Sequence, residues 1–533
     1  PGMHRVYPFR AAGSSPAAAD WGAPALCPMR PQRYSGRIIP LRGHDYMTLR
    51  APLTAAALLA TASLTAQAQA RPMTPEDVAK IESVGTIAVS PDGARVAYTT
   101  ARLPDVTAGE ENGTTTQQLS MAYGPGNARE FLPADMNVSG IQFSPDGRMV
   151  SFMWADGDDK KAVWGIPVDG GAQRKLAHVE GAAVRSYAWS PDGSHMHLLV
   201  AAEEDKDRTA QSKAGFNSVV YEEEPQFNRL FRARIGMEPD AEPQEVSLPG
   251  YVTSFQIADD ARTGVIETAP TTLIDDEYVN KKVNILDMES GTVRMVIETP
   301  GKIDDVEISP DASRLALIAA VDMNDPAATT IHFVDVASGV VTPHNAGAPE
   351  AVVDVEYMDD GRLVAAVHVG AQSVLRIHNA DGSLEREIDP GALIISNVET
   401  AGSVIAVEAS APQHPTELFR LDGDSFTRWT QHNPWLSEID FGEQRTFRYT
   451  ARDGQEVEGV LIEPVGGVPA GGAPLILNVH GGPEAHDSNG WQTAYSKPGH
   501  VAAGQGYAVF LPNYRGSTGY GTAFSKQHTG NYT

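Results

Sequence analysis

The chain has 533 residues and a formal net charge of −27, from 41 Lys and Arg against 68 Asp and Glu. That excess of acid excludes a general nucleic-acid binder, which needs a basic face to displace counterions from phosphate. With 41% apolar and 20% charged residues, and 50 Gly and 37 Pro scattered along the chain, the composition also excludes a disordered or collagen-like protein and fits a turn-rich globular one.

The front end differs from the rest. Residues 1–70 carry seven Arg and two Asp, a net +5, which leaves the other 463 residues at −32. Met47-Thr48-Leu49-Arg50, an apolar run over 51–64 and then Ala66-Gln67-Ala68-Gln69-Ala70 supply the parts of a secretory signal: a basic start, a short apolar core and small residues at −3 and −1. The expected cut follows Ala70. A membrane anchor is the alternative reading, but the run is short and rich in Ala and Thr for the ~30 Å of a hydrocarbon core. Residues 1–46 start at Pro1, show no apolar periodicity and read as upstream sequence translated in frame. The single cysteine, Cys27, lies there, so a chain starting at residue 71 would have no disulfide. The expected location is a bacterial periplasm or the exterior, with no membrane attachment after cleavage.

Thr74-Pro75-Glu76-Asp77 has a capping residue, a proline at the first helical position and an acid three residues after the cap, which predicts a short helix. A repeat then begins. Ile87 to Tyr98 is an alternating strand, a Ser90-Pro91-Asp92-Gly93 turn and a second alternating strand, with proline where φ near −65° is wanted and glycine where φ must be positive. Ser144-Pro145-Asp146-Gly147 and Ser190-Pro191-Asp192-Gly193 are plain copies and Ser309-Pro310-Asp311-Ala312 a near copy; weaker marks stand at 258, 358 and, faintest, 400. The intervals are 54, 46, 68, 51, 49 and 42 residues. Third strands are expected over 162–168, 229–235, 330–336 and 374–378. A period of ~40–50 residues with several short strands is the signature of propeller blades, so the pattern predicts a seven-bladed β-propeller over residues 71–436 in preference to a β-sandwich. The long interval holds an insertion with Glu203-Glu204-Asp205 and then Tyr221-Glu222-Glu223-Glu224. Clustered carboxylates there could hold a peptide's α-ammonium, or could be a solvated acidic loop.

After Asn433-Pro434-Trp435 the pattern changes, and residues 437–533 read as the first part of an α/β-hydrolase domain. A hairpin is expected around Asp453-Gly454, followed by two continuous apolar strands, 474–479 and 506–512, of the kind buried on both faces of an α/β sheet. His480-Gly481-Gly482-Pro483 follows the first strand and Asn513-Tyr514-Arg515-Gly516-Ser517-Thr518-Gly519-Tyr520-Gly521 ends the second. A Gly-Gly pair at the carboxyl end of a buried strand lets backbone N–H groups face a cleft without hindrance from Cβ, which is how an α/β-hydrolase supplies half of an oxyanion hole. His480 reads as part of that loop and not as a catalytic base, because in this fold the base follows the nucleophile and the acid. Gly-x-Ser-x-Gly, the nucleophile elbow, is absent from the 533 residues. The sequence is therefore expected to stop short of its catalytic serine, aspartate and histidine, and this piece alone is expected to be inactive.

A propeller marked by Ser-Pro-Asp-Gly, followed by His480-Gly481-Gly482-Pro483 and Asn513 to Gly521, resembles the prolyl oligopeptidase family of serine peptidases, with the two loops most similar to its acylaminoacyl-peptidase branch. The resemblance implies an exported serine-type exopeptidase or oligopeptidase acting on short peptides through an acyl-enzyme, with the Gly482 N–H as one oxyanion donor. Tyr221-Glu222-Glu223-Glu224 resembles the double-glutamate motif by which dipeptidyl peptidases of the family hold a free amino terminus, which would make Glu223 and Glu224 substrate-binding residues. A non-catalytic periplasmic binding propeller is the rival reading, but it leaves 474–521 unexplained; an esterase is another, since the same machinery cleaves esters. No metal-ligand spacing, phosphate loop or cofactor fingerprint is present, so no cofactor is expected. His486 and His500 have no ligand partners in sequence, and nothing in the sequence specifies an oligomeric state.

Overall fold

A computed structural model describes residues 70–530 apart from 158–159, 202–205, 219–225, 237–241, 249 and 483. The leader before Ala70, the stretch with Cys27, and Tyr221 to Glu224, with Glu223 and Glu224 among them, fall outside the described residues. Among the described residues no helix is long and apolar enough to cross a membrane.

Thr74 and Asp77 build the predicted helix, Pro75–Val78. The Asp77 carboxylate accepts from the Thr74 N–H at 2.9 Å and from Arg71 at 2.6 and 2.9 Å, and these bonds hold it well below the usual carboxylate range. Seven four-stranded sheets then succeed one another, over 82–130, 139–177, 184–246, 251–297, 303–343, 351–388 and 394–428. In each of them the four strands run in chain order as an antiparallel meander.

The repeated turn joins the first and second strands of these sheets, and its chemistry explains its residues. Ser90 Oγ donates to Asp92 Oδ1 at 2.6 Å and accepts from the Arg95 N–H at 2.9 Å; Asp92 Oδ1 also accepts from the Ala94 N–H at 3.0 Å. The Gly93 N–H closes the turn on Ser90 O at 2.7 Å with φ of 65°. The serine-to-aspartate bond recurs at Ser144, Ser190 and Ser309. The turn thus satisfies its own backbone, and pairing of the two strands starts directly beyond it. The faintest mark is displaced: Thr400 lies inside the strand Ile394–Ala401, and the turn comes at Gly402, whose φ of 57° supplies the left-handed residue that reverses the chain.

Each sheet shares an apolar core with the next. Leu119 and Met121 of the first meet Ile141 and Phe152 of the second, Val265 and Ile285 of the fourth meet Val306 and Leu317 of the fifth, and Val364 and Leu375 of the sixth meet Val398 and Val407 of the seventh. The series closes on itself. Ile87, Val96 and Tyr98 of the first sheet pack with Ala406, Leu418 and Trp429 of the seventh and its trailing loop, and Arg420 donates to Gly93 O at 3.3 Å. Burial of side chains of this size is worth about 1.5–3 kcal/mol each, so apolar contact holds every junction of the ring; among the described residues no strand ladder joins one of these sheets to the next, and single backbone bonds such as Val184 N–H to Lys161 O add to it. On the first strands of sheets five to seven, Glu307, Glu356 and Glu399 alternate with core residues. Burial raises all three, with neighbouring carboxylates, Asp305 beside Glu307, Glu307 and Glu399 beside Glu356, and Asp354 and Glu408 beside Glu399, adding to it, Glu399 to about 8.

A separate mixed sheet follows: β1 (Gln444–Thr450), β2 (Glu456–Ile462), β3 (Leu475–Leu477) and β4 (Ala508–Asn513), in the order β1-β2-β4-β3. β3 and β4 are parallel and the other neighbours antiparallel. β4 is buried throughout, as its apolar run predicts. β3 is not. Only three residues of 474–479 pair, and Leu475, Leu477 and Val479 are 59%, 58% and 56% exposed. Among the described residues β3 has β4 on one side and no strand on the other, and only its inward Ile476 reaches the core of Val460, Val509 and Leu511.

In the near-copy turn, Ala312 takes the left-handed φ of 58° that glycine takes in its sister turns. That conformation costs a residue with Cβ about 1–2 kcal/mol, partly offset by the freedom glycine adds to the unfolded chain. Ala312→Gly should therefore raise stability by about 0.5–1 kcal/mol in a urea titration; an unchanged or lowered midpoint would contradict this account of the turn.

Candidate functional site

Because β3 and β4 are parallel neighbours, the loops that leave their carboxyl ends emerge side by side, the place where open α/β sheets carry their ligands. The loop after β3 is His480-Gly481-Gly482 and the loop after β4 is Tyr514 to Gly521. Asn513, fully buried at the end of β4, acts as a substitute peptide: its Oδ1 accepts from the Asp487 N–H at 2.7 Å and its Nδ2 donates to Asp487 O at 2.9 Å. This ties the return of the first loop to the start of the second.

The other polar residues of the second loop each hold a neighbour. Tyr514 stacks on the His480 ring with centroids 4.6 Å apart and donates its hydroxyl to His480 O at 2.8 Å. Ser517 Oγ lies 3.1 Å from His480 Nε2. Arg515 pairs with Asp453 of the β1-β2 turn at 2.6 Å. Thr518 Oγ1 lies 2.7 Å from His486 Nδ1, and Tyr520 donates to Glu458 Oε1 at 3.1 Å. Burial lowers His480 from its ordinary value, which favours the neutral ring, and its contacts with Tyr514 and Ser517 fix the loop.

With the loop held at His480, the two glycines face open space. Gly482 has φ of 55°, and a Cβ built on Gly481 or Gly482 would meet no atom within 4 Å. Packing therefore does not require glycine at 481. Among the described residues neither N–H has an acceptor. The arrangement offers two backbone donors at the end of a parallel strand to a group of negative charge.

A third element completes the site and carries no sequence motif. The sixth sheet's hairpin turn, Gly370-Ala371, inserts between β2 and the two loops. The Gly370 N–H donates to Gly519 O at 2.8 Å, the Ala371 N–H to Glu458 Oε1 at 3.0 Å, and Ala371 O accepts from the Asn489 N–H at 2.7 Å. Glu458 is 6% exposed and binds Arg448 Nε at 2.6 Å through its second oxygen. Two residues earlier, His368 Nδ1 lies 2.8 Å from His486 Nε2. Lys526 adds an ion pair to Asp322 of the fifth sheet at 2.6 Å. His500 lies apart, buried with its Nε2 2.9 Å from Pro412 O. The only signal for the inserted turn in the sequence is a glycine at the tip of an alternating hairpin, which many solvent-exposed turns share.

No family model matches the chain. It is 24% identical to the uncharacterized peptidase YuxL of Bacillus subtilis, over 86% of this chain and 73% of that one. It is 23% identical to dipeptidyl aminopeptidase BIII of Pseudoxanthomonas mexicana, over 76% of this chain and 63% of that one, so the chain spans under two thirds of that relative's length. The fold matches acylaminoacyl peptidase of Pyrococcus horikoshii with a TM-score of 0.65 at 18% identity, over 85% of this chain and 68% of that one. Its relatives are peptidases of the prolyl oligopeptidase family. In this chain the inserted turn, bonded to Gly519, Glu458 and Asn489, is a joint between the ring of sheets and the mixed sheet as well as a wall.

That joint is sensitive at its glycine. Gly370 has φ of 61°, and a Cβ there would lie 2.5 Å from Glu458 Oε1. Gly370→Ala should cost about 2–3 kcal/mol through the strained φ and the displaced carboxylate, and should raise protease cleavage within 480–521 before it affects 82–343. Equal susceptibility of both regions would show that the turn does not hold the two parts together.

Proposed function

We propose that the chain carries the lid and the oxyanion half of an exported serine peptidase that hydrolyses short peptides through an acyl-enzyme. In this reading residues 71–436 are a seven-bladed β-propeller, supported by seven successive four-stranded meanders whose shared cores return from the last sheet to the first. Residues 437–533 begin an α/β-hydrolase domain, supported by the parallel β3-β4 pair and by the fold likeness to an acylaminoacyl peptidase. The signal over 47–70 would deliver the protein to the periplasm or the exterior.

The observation that carries the proposal is Gly482: an exposed residue at positive φ, on a loop fixed at His480 by Tyr514 and Ser517, whose N–H has no acceptor among the described residues and where a Cβ would meet no atom within 4 Å. An oxyanion donor must be held in advance of the reaction and be aimed where charge develops, and one such donor is worth about 10²–10³ in kcat. Glu223 and Glu224 would bind the free amino terminus of the peptide by charge-assisted hydrogen bonds, a role the dipeptidyl aminopeptidase relative supports.

The enzyme made from the genomic reading frame that contains this sequence should take up a fluorophosphonate probe and hydrolyse dipeptidyl anilides. In that enzyme Gly481→Ala should leave the melting temperature within about 2 °C, because its Cβ meets nothing, yet lower kcat/KM at least tenfold by filling the space before the oxyanion donors. Unchanged turnover would remove the oxyanion role from this loop. Replacing both Glu223 and Glu224 by Ala should lower kcat/KM for free-amino dipeptide substrates about 10²-fold and leave N-acetylated substrates nearly untouched; equal losses on both would refute the ammonium clamp.

A further inference from the structure

The seven sheets of the ring share an irregularity. In each of them the register between the first strand and the second shifts near the start of the first strand: between Val184 and Ser186, Val252 and Ser254, and Ile303 and Asp305 in sheets three to five, and at the matching places in the other four. A bulge re-aims the side chain it carries, and bulges gather at rims beside sites. The rim in question is the one that faces the loops after β3 and β4. The start of a first strand pairs with the end of the second, as Ala351 does with His368, and the turn just after His368 is the one bonded to Gly519, Glu458 and Asn489. Of the residues at the seven shifts, Arg185 is the only cation and Asp304 the only anion.

Arg185 lines a cavity of about 370 Å³ between sheets three and four, together with Ser186, Gln226, Asn228, Tyr251 and Thr253, and it is the one charged residue among the described residues of that lining. Asn228 Nδ2 donates to Val252 O at 3.1 Å and to the Tyr251 hydroxyl at 3.3 Å, and Phe227 meets the Tyr251 ring edge-on with centroids 6.0 Å apart. This wall is therefore fixed before a ligand arrives. Arg185 is exposed, and its guanidinium has no hydrogen bond or ion pair among the described residues. A guanidinium so placed offers a carboxylate two parallel N–H bonds. The molecule as a whole, at a formal −27, repels a carboxylate, so the one cation among the bulged positions also marks where a carboxylate can approach. We propose that Arg185 and this cavity form a subsite for a carboxylate of the short peptide, either its terminal carboxylate or an acidic side chain; the substrate class rests on the peptidase reading above.

Isothermal titration calorimetry of the 533-residue chain at low salt tests this with three peptides: trialanine, trialanine amide and glutamyl-dialanine amide. Trialanine amide has no carboxylate and should bind at least about tenfold more weakly than the peptide whose carboxylate reaches Arg185. Tighter binding of trialanine puts the terminal carboxylate in the subsite; tighter binding of the glutamyl peptide puts an acidic side chain there. Arg185→Gln keeps N–H donors but loses the charge. It should melt with the wild type, because the guanidinium holds no neighbour, and should bind all three peptides alike, while Arg185→Lys should keep part of the preference. Hydrolysis of dialanyl anilide by the enzyme made from the genomic reading frame checks the peptidase reading separately, since that substrate carries no carboxylate and calorimetry needs no turnover. Equal affinity of the wild type for the three peptides, binding of none of them, or a preference that survives Arg185→Gln overturns the subsite.

Discussion

The arrangement of the two loops depends on a single hairpin turn caught by its backbone. Gly370 and Ala371 donate two N–H groups and accept one, and all three partners, Gly519, Glu458 and Asn489, belong to the segment after residue 440. Backbone groups have fixed geometry and no rotamer to lose, so such a contact sets the position of the loops more tightly than exposed ion pairs like that of Arg515 with Asp453 could. Glu458 adds to the cost of breaking the contact, because this carboxylate, 6% exposed, would lose the Ala371 N–H from the three donors around it and keep only Arg448 and Tyr520.

Around that turn the segment Asn513 to Gly521 divides the work. Asn513 fixes the loop after β3 by mimicking a peptide, Tyr514 and Ser517 hold His480, Thr518 reaches His486, and Tyr520 returns to Glu458. None of these side chains needs to touch a substrate to be required. A site whose donors are backbone N–H groups puts its demands on the residues that aim the backbone, and those are polar, buried and close together in sequence.

Much of this was legible from the residues alone, and the reasons differ by element. The Ser-Pro-Asp-Gly turns could be read because every residue in them acts locally, through an internal hydrogen bond, a preset φ or a left-handed position. The buried strand Ala508–Asn513 could be read from its unbroken apolar run. The same logic misjudged 474–479, since an apolar run says that a strand prefers burial and not whether a neighbour is there to bury it. Gly370, Ala371, His368 and Glu458 stayed hidden. They act through contacts about ninety to one hundred and fifty residues apart in the chain, and no short pattern records such a distance. The loop after β3 was legible as a motif, but the part played by Tyr514 in holding it was not.

The carboxylates on the first strands of sheets five to seven bear on the charge of the molecule itself. Glu307, Glu356 and Glu399 are raised by burial and by neighbouring carboxylates, Asp354 to about 7 and Glu408 to about 8 beside them. Glu399 and Glu408, at about 8, keep protons at neutral pH, so the formal −27 overstates the charge the folded chain presents. Unfolding would release those protons, and the ring acts as a buffer whose capacity exists only while the sheets are closed. Small changes in pH near neutrality are thereby absorbed inside the ring and not at the surface, and a titration of the native protein would consume base where an acidic surface would not.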